Sequence, residues 1–319
     1  MSPFNSTDKF MSGGYFLTVQ QEHIYNKIRH ELSESSSRFV ALTGGARTGK
    51  TLLTYHIVKF FLNEGKRVLI LHCAPLNNGH RILVDKYGWE IHMTRYAPSI
   101  SDYDLIVIDE AQRMYPYQFD TFVDKIRSYN KKCIFSYDEN QYLSDNEKRY
   151  HLSERLEHEL SCIPYKLTGK IRINKEVACF IKQLFDLKLN IREMVYPNIT
   201  LTYCKDFKSA RNLFKVLSAR NWKIPNYTPG TRSTFSYQKY SSDDVDSAHS
   251  VIGQEFDNVV VVIDGKFKYN SQGRLVADNT YYSQRQILYQ IITRTRKKLY
   301  IVIINNETML NRCIDILYP

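Results

Sequence analysis

The chain has 319 residues, 43% of them hydrophobic, which is enough for two globular domains of ordinary size. It carries 44 Lys and Arg against 33 Asp and Glu, and this formal charge of +11 favours a polyanionic partner, because each cation that neutralises a phosphate releases condensed counterions. No apolar run approaches membrane-spanning length, and the start Met1-Ser2-Pro3-Phe4-Asn5-Ser6 has no charged-then-apolar signal pattern, so no membrane partner and a cytoplasmic location are expected.

Residues 1–14 are rich in Ser, Asn and Gly and are expected to be a loose tail, followed by a first domain over 15–160 and a second over 161–319. After the tail, Leu17-Thr18-Val19-Gln20-Gln21 runs into a helix with Ile24 and Ile28 on one face. Phe39-Val40-Ala41-Leu42 is short and apolar enough for a buried strand. Gly44-Gly45-Ala46-Arg47-Thr48-Gly49-Lys50-Thr51 follows it, and then Leu53, Ile57, Phe60 and Phe61 recur at helical spacing until Gly65. A strand, a glycine loop and a helix place several N–H groups and the positive end of a helix dipole around one anionic pocket. In that pattern Lys50 reaches the β- and γ-phosphates of a nucleotide and Thr51 takes a place on Mg²⁺.

The next strand, Val68-Leu69-Ile70-Leu71, opens into His72-Cys73-Ala74-Pro75 and a polar loop containing His80 and Arg81. Leu105-Ile106-Val107-Ile108 delivers Asp109 and Glu110. A carboxylate pair at a strand end suits Mg²⁺-dependent NTP hydrolysis, with Asp109 holding the metal and Glu110 taking a proton from the attacking water. Cys133-Ile134-Phe135-Ser136 leads to Asp138 and Gln141; at this edge Gln141 either reports the γ-phosphate or is a polar turn residue. The six cysteines show no paired metal-ligand spacing and read as reduced thiols.

In the second half, strand-like stretches Tyr165–Thr168, Thr200–Cys204, Val259–Ile263 and Leu299–Ile303 alternate with helical patterns through Val177–Leu184, Ser209–Ser218, Gln284–Thr293 and Met309–Leu317. Lys266–Ala277 reads as a projecting hairpin, and Arg294 begins a basic run with Arg296, Lys297 and Lys298. The alternation of strands and helices in both halves predicts an α/β protein of two domains with mainly parallel sheets.

The order of these motifs resembles the motor core of superfamily 1 helicases across almost the whole chain, and the compact two-lobe form more closely resembles the bacterial schlafen-type DNA/RNA helicase domain ATPases. The resemblance implies two RecA-like P-loop NTPase lobes with ATP and Mg²⁺ as cofactors. It implies adenine recognition by Gln21, a motif I over Gly44 to Thr51, and strand contacts from a motif Ia with His72 and Pro75, on a rim expected to continue along the loop to Arg81. Asp109-Glu110-Ala111-Gln112 is similar to motif II, Asp138 with Gln141 to motif III, and Arg172 to the phosphate-contacting arginine of motif IV. His249, Ser250, Gly253 and Glu255 look like motif V, with Gly253 and Glu255 near the nucleotide and His249 and Ser250 on the strand; Thr293-Arg294 looks like motif VI. Ile171 stands where many motor-core helicases carry a base-stacking tyrosine. The implied activity is nucleic-acid-dependent ATP hydrolysis on single-stranded DNA or RNA. The alternative is an ATP-dependent switch or assembly subunit acting on a protein partner such as a nuclease.

Overall fold

The computed structural model describes residues 2–34, 38–45, 48–139, 141–142, 144, 147, 150–168, 175–191, 194–228, 247–278 and 282–319. The chain divides into two compact units, residues 1–171 and 172–319.

The first unit is built on β1 (Phe39–Gly44), β2 (Val68–His72), β3 (Glu90–Met93), β4 (Leu105–Asp109), β5 (Lys132–Tyr137) and β6 (Ile163–Leu167). They form one sheet in the order β3-β2-β4-β5-β1-β6, with every pairing parallel. Its central strands read as continuous apolar runs because both faces are covered. Alternate residues feed two separate cores. Val40, Leu42, Ile70, Val107 and Ile134 face α1 (Thr7–Met11), α2 (Val19–Glu34), α3 (Lys50–Asn63) and α4 (Asn78–Tyr87). Ala41, Leu69, Ile106, Ile108 and Phe135 face α5 (Pro116–Ser128) and α6 (Leu152–His158).

Two expected boundaries are corrected. Residues 1–14 are not a loose tail, because α1 lies within them and Phe4 and Phe10 are buried in the first core. The Phe4 ring sits 4.9 Å from that of Tyr55 and 4.0 Å from that of His80. Gly79 makes this approach possible, since a Cβ there would lie 2.3 Å from the Phe4 Cα. The second boundary does not fall at 160, because β6 pairs with β1 through Val40↔Ile163 to Gly44↔Leu167 and so completes the first sheet.

The second unit contains α7 (Lys175–Phe185), β7 (Ile199–Cys204), α8 (Phe207–Ala219), β8 (Phe256–Ile263), β9 (Phe267–Tyr269), β10 (Leu275–Ala277), α9 (Gln284–Ile292), β11 (Thr295–Ile304) and α10 (Glu307–Leu317). β7, β11 and β8 form a parallel sheet in that order. β9 and β10 pair antiparallel as the expected hairpin, but it packs rather than projects. Tyr269 donates its hydroxyl to the Leu184 carbonyl at 2.7 Å, and Arg274 pairs with Asp186 at 2.9 Å, fastening the hairpin to the end of α7. Among the described residues all six cysteines are unpaired thiols, five of them buried, and no helix is long and apolar enough to cross a membrane.

Candidate active site

In a parallel sheet the carboxyl ends of all strands share one edge, so the first unit brings the loops after β1, β2, β4 and β5 to a common rim. The phosphate loop leaves β1 at Gly44, where no side chain fits: a Cβ would lie 2.6 Å from Thr48 Oγ1 and 2.8 Å from the Leu167 carbonyl oxygen. The loop closes on Thr48, whose Oγ1 donates to the Gly45 carbonyl at 3.0 Å. Gly49 then caps α3 in the left-handed region (φ 81) and contributes no side-chain acceptor. The positive end of a fourteen-residue helix is therefore aimed at the loop without a side-chain cap of its own. Ala46 and Arg47 lie outside the described residues.

Lys50 is held inside this cradle. Its Nζ donates to the Gly44 carbonyl at 2.9 Å and lies 3.5 Å from Asp138 Oδ2 at the end of β5. Gln21, to which the resemblance gives adenine recognition, is held against the loop. It is buried in a capping box, with its Oε1 accepting from Thr18 N at 3.0 Å and its backbone N donating to Thr18 Oγ1 at 3.3 Å. Its Nε2 donates to the carbonyls of Thr48 and Gly49 at 3.3 and 3.4 Å, so the amide braces the phosphate loop.

The carboxylates stand beside it. Asp109 ends β4, buried, with Oδ2 3.2 Å from His72 Nδ1. Glu110 follows in the left-handed region (φ 56), uncommon for a residue with a Cβ. Its Oε2 accepts from Gln112 Nε2 at 2.7 Å and from Arg113 Nε at 3.2 Å. Burial pushes the Glu110 carboxyl up, but Arg113, Lys50, His72 and the Gln112 hydrogen bond together outweigh burial and hold it below its ordinary range. The Gln112 Oε1 accepts from Asp138 N at 3.2 Å. A continuous chain of contacts thus runs from Lys50 through Asp138 and Gln112 to Glu110. Thr51 and Asp109 offer a hydroxyl and a carboxylate at the same rim, the hard oxygen donors that suit Mg²⁺ beside a phosphate.

The remaining expected residues divide. His72 is a correction: its side chain is buried against Asp109 and is no strand contact in this arrangement, whereas Pro75 and Arg81 are exposed. Gln141 is buried in the turn after β5, its N–H donating to the Asp138 carbonyl at 3.2 Å. In the second unit, Arg294 is buried while Arg296, Lys297 and Lys298 are exposed, which separates it from the basic run. Its Nη1 donates to the Gln254 carbonyl at 3.3 Å and Phe256 N donates to the Arg294 carbonyl at 2.9 Å, so the segment of Gly253 and Glu255 adjoins that of Arg294. His249 Nδ1 lies 2.5 Å from Thr228 Oγ1, and Ser250 Oγ donates to the Ser247 carbonyl at 3.0 Å. Arg172 lies outside the described residues.

Arg113 and the tyrosines that follow β3 and β4 carry no role legible in the sequence. Tyr96 is 63% exposed under Arg95, whose guanidinium lies 4.8 Å from the ring centre. Tyr115 and Tyr117, 51% and 67% exposed, stack at 5.9 Å with an interplanar angle of 16°. Their only sequence signal is position, a few residues past strands that end at the nucleotide rim.

The family profile described as Schlafen group 3, DNA/RNA helicase domain, matches residues 37–223, more than half of the chain, from the phosphate-loop strand into the second unit. The chain belongs to this family. The Schlafen group 3 match spans the phosphate loop, the Asp109-Glu110 pair and Gln141. Solved structures give a more distant likeness. A structure of Pif1 helicases at forked double-stranded DNA has 12% identity and a TM-score of 0.49 over 92% of each chain. AMPPCP-bound DnaA from Aquifex aeolicus has 14% identity and a TM-score of 0.35 over 66% of each chain. A DNA replication initiation factor has 15% identity and a TM-score of 0.34 over 67% of this chain and 65% of that one. No curated protein matches the chain.

Proposed function

We propose that the protein is an ATP-hydrolysing, nucleic-acid-dependent motor or helicase-like ATPase. The observation that carries this reading is the contact chain Lys50–Asp138–Gln112–Glu110, which links the phosphate-binding cation to the carboxylate best placed to act on water.

The loop from Gly44 to Thr51, Ala46 and Arg47 included, binds the phosphates, with Lys50 exchanging its present acceptors for β- and γ-oxygens. Thr51 and Asp109 would hold Mg²⁺, which would supply charge neutralisation to the phosphates. Glu110 takes a proton from water as the water oxygen attacks the γ-phosphorus. The bond to the β–γ bridging oxygen breaks, and its electron pair leaves with ADP. Charge spreads over the transferring group, so cations beyond Lys50 lower the barrier; Arg172 and Arg294 are assigned that role and Gln141 the sensing of the γ-phosphoryl. Gly253 and Glu255 are assigned to the nucleotide. Alternating nucleotide states then move a bound strand.

The strand is single-stranded DNA or RNA, contacted by Pro75, Arg81, His249 and Ser250. The net charge of +11 and the exposed Tyr96, Tyr115 and Tyr117 support it, since stacking faces with cations suit unpaired bases on a phosphate backbone. The test is ATP turnover with and without oligo-dT and oligo-U over a rising salt series. Stimulation that weakens with salt is expected. Absence of stimulation, together with ATP-dependent capture of a protein, would replace the motor by the switch.

A further inference from the structure

Arg113 has no part in the scheme above, and stability does not account for it. It is only 8% exposed, and among the described residues Nε alone of its guanidinium nitrogens has an acceptor, Glu110 Oε2 at 3.2 Å. Nη1 and Nη2 are shielded from solvent with no hydrogen-bond partner among the described residues. A buried donor left unsatisfied costs stability, and more so when it belongs to a charged group. A buried ion pair with such gaps is weak grounds for a stabilising role.

The contact it does make falls on one atom of consequence. Both hydrogen bonds to the Glu110 carboxylate, from Gln112 and from Arg113, land on Oε2. Oε1 has no hydrogen bond among the described residues and is the oxygen left for a water. Two donors on one oxygen, arriving from different side chains, fix the plane of the carboxylate. The left-handed backbone at Glu110 (φ 56, ψ 38) sets where that plane starts from.

The two braces are not equivalent. Gln112 also accepts from Asp138 N, and Asp138 faces Lys50 at 3.5 Å. A nucleotide that draws Lys50 onto its phosphates takes it from the Asp138 carboxylate, on the same residue whose backbone N–H the Gln112 amide holds, so this brace sits beside a contact that must rearrange. Among the described residues Arg113 has no hydrogen-bond acceptor other than Glu110, and its hold does not depend on Lys50. We infer that Arg113 is a positioning residue, keeping the Glu110 carboxylate oriented toward water while the Lys50–Asp138–Gln112 side of the site changes partners. This rests on the assignment of Glu110 as the base.

The experiment measures steady-state ATP turnover of the full chain with saturating oligo-dT, and binding of the non-hydrolysable analogue AMP-PNP, for Arg113→Ala, Arg113→Lys, Glu110→Gln and the double variant Glu110→Gln/Arg113→Ala. Arg113→Ala is expected to lower kcat by ~10- to 100-fold, the order seen when a catalytic group is misplaced by about an ångström. KM for ATP and AMP-PNP affinity should stay within about twofold, because the ground-state phosphate contacts are untouched. In the Glu110→Gln background the same substitution should have no further effect, an outcome that a general loosening of the fold would not give. Arg113→Lys, which keeps the charge without the Nε–H at that position, should fall between Arg113→Ala and wild type. Should Arg113→Ala not fold, Arg113→Lys alone and combined with Glu110→Gln decides by the same criteria. A wild-type kcat, a KM that rises as kcat falls, or additive losses in the double variant would overturn the inference. Retention of turnover in Glu110→Gln would instead remove the base assignment itself, so the two failures are distinguishable.

Discussion

Gln21 separates two uses of one side chain. Gln21→Ala removes the bond from Thr18 N and the bonds to the carbonyls of Thr48 and Gly49. The first is within ordinary hydrogen-bond length and the other two, at 3.3 and 3.4 Å, are long, so the lower end of ~0.5–1.5 kcal/mol per bond applies, together with part of the ~1–3 kcal/mol for a buried group left unpaired. The sum is about 2 kcal/mol. If all of it is spent on ordering the loop, nucleotide affinity falls by up to roughly thirtyfold, at ~1.4 kcal/mol per factor of ten. Because the lost contacts are to the loop, ATP and GTP should weaken equally. Titration with fluorescent ATP and GTP analogues, beside urea unfolding, measures both. A variant that loses ATP tenfold while binding GTP unchanged would refute the bracing role in favour of adenine recognition.

Other consequences can be read with single variants. Gly79→Ala drives a Cβ into the Phe4 backbone, and the N-terminal segment must give way, losing ~2–3 kcal/mol of Phe4 burial. Phe4→Ala should reach a similar urea midpoint; a Gly79→Ala midpoint equal to wild type would refute the packing. Burial holds the His80 imidazole well below its usual pKa, with the nearby His72 adding to the shift. The unfolded chain therefore takes up a proton as pH falls through about 6.5 more readily than the folded one, so stability present above that pH declines below it. Urea unfolding of wild type against His80→Gln checks the sign; a flat difference over that range contradicts it. Tyr115→Ala/Tyr117→Ala should weaken oligo-dT binding at least fivefold at an unchanged salt slope, from ~1 kcal/mol or more per stacked base. Arg81→Ala should instead reduce the slope by about one. Equal slopes in both variants would contradict the division of labour.

Much of the first unit was legible in the sequence. Each buried strand of a parallel sheet is a short apolar run, and the phosphate loop and the Asp109-Glu110 pair sit directly after two of them. The N-terminal segment was not, because Phe4 and Phe10 sit among Ser, Asn and Gly and their burial depends on the distant Gly79. β6 was assigned to the wrong unit because its pattern, Ile163-Pro164-Tyr165-Lys166-Leu167, half polar, suits an edge strand and gives no hint of its neighbour. His72 looked like a rim residue because it follows an apolar run; its partner, Asp109, is fixed only by the β2–β4 register, which pairs the two residues directly. Arg113 was invisible for the same reason, since a charged residue after a motif reads as surface until its burial is known.

Whether Glu110 carries strand-stimulated ATP hydrolysis is decided by steady-state turnover of wild type and Glu110→Gln, each with and without oligo-dT at low salt. Turnover should rise with the strand in wild type and fall at least a hundredfold, to order of magnitude, in Glu110→Gln while ATP binding is retained. Turnover in Glu110→Gln equal to wild type would contradict it.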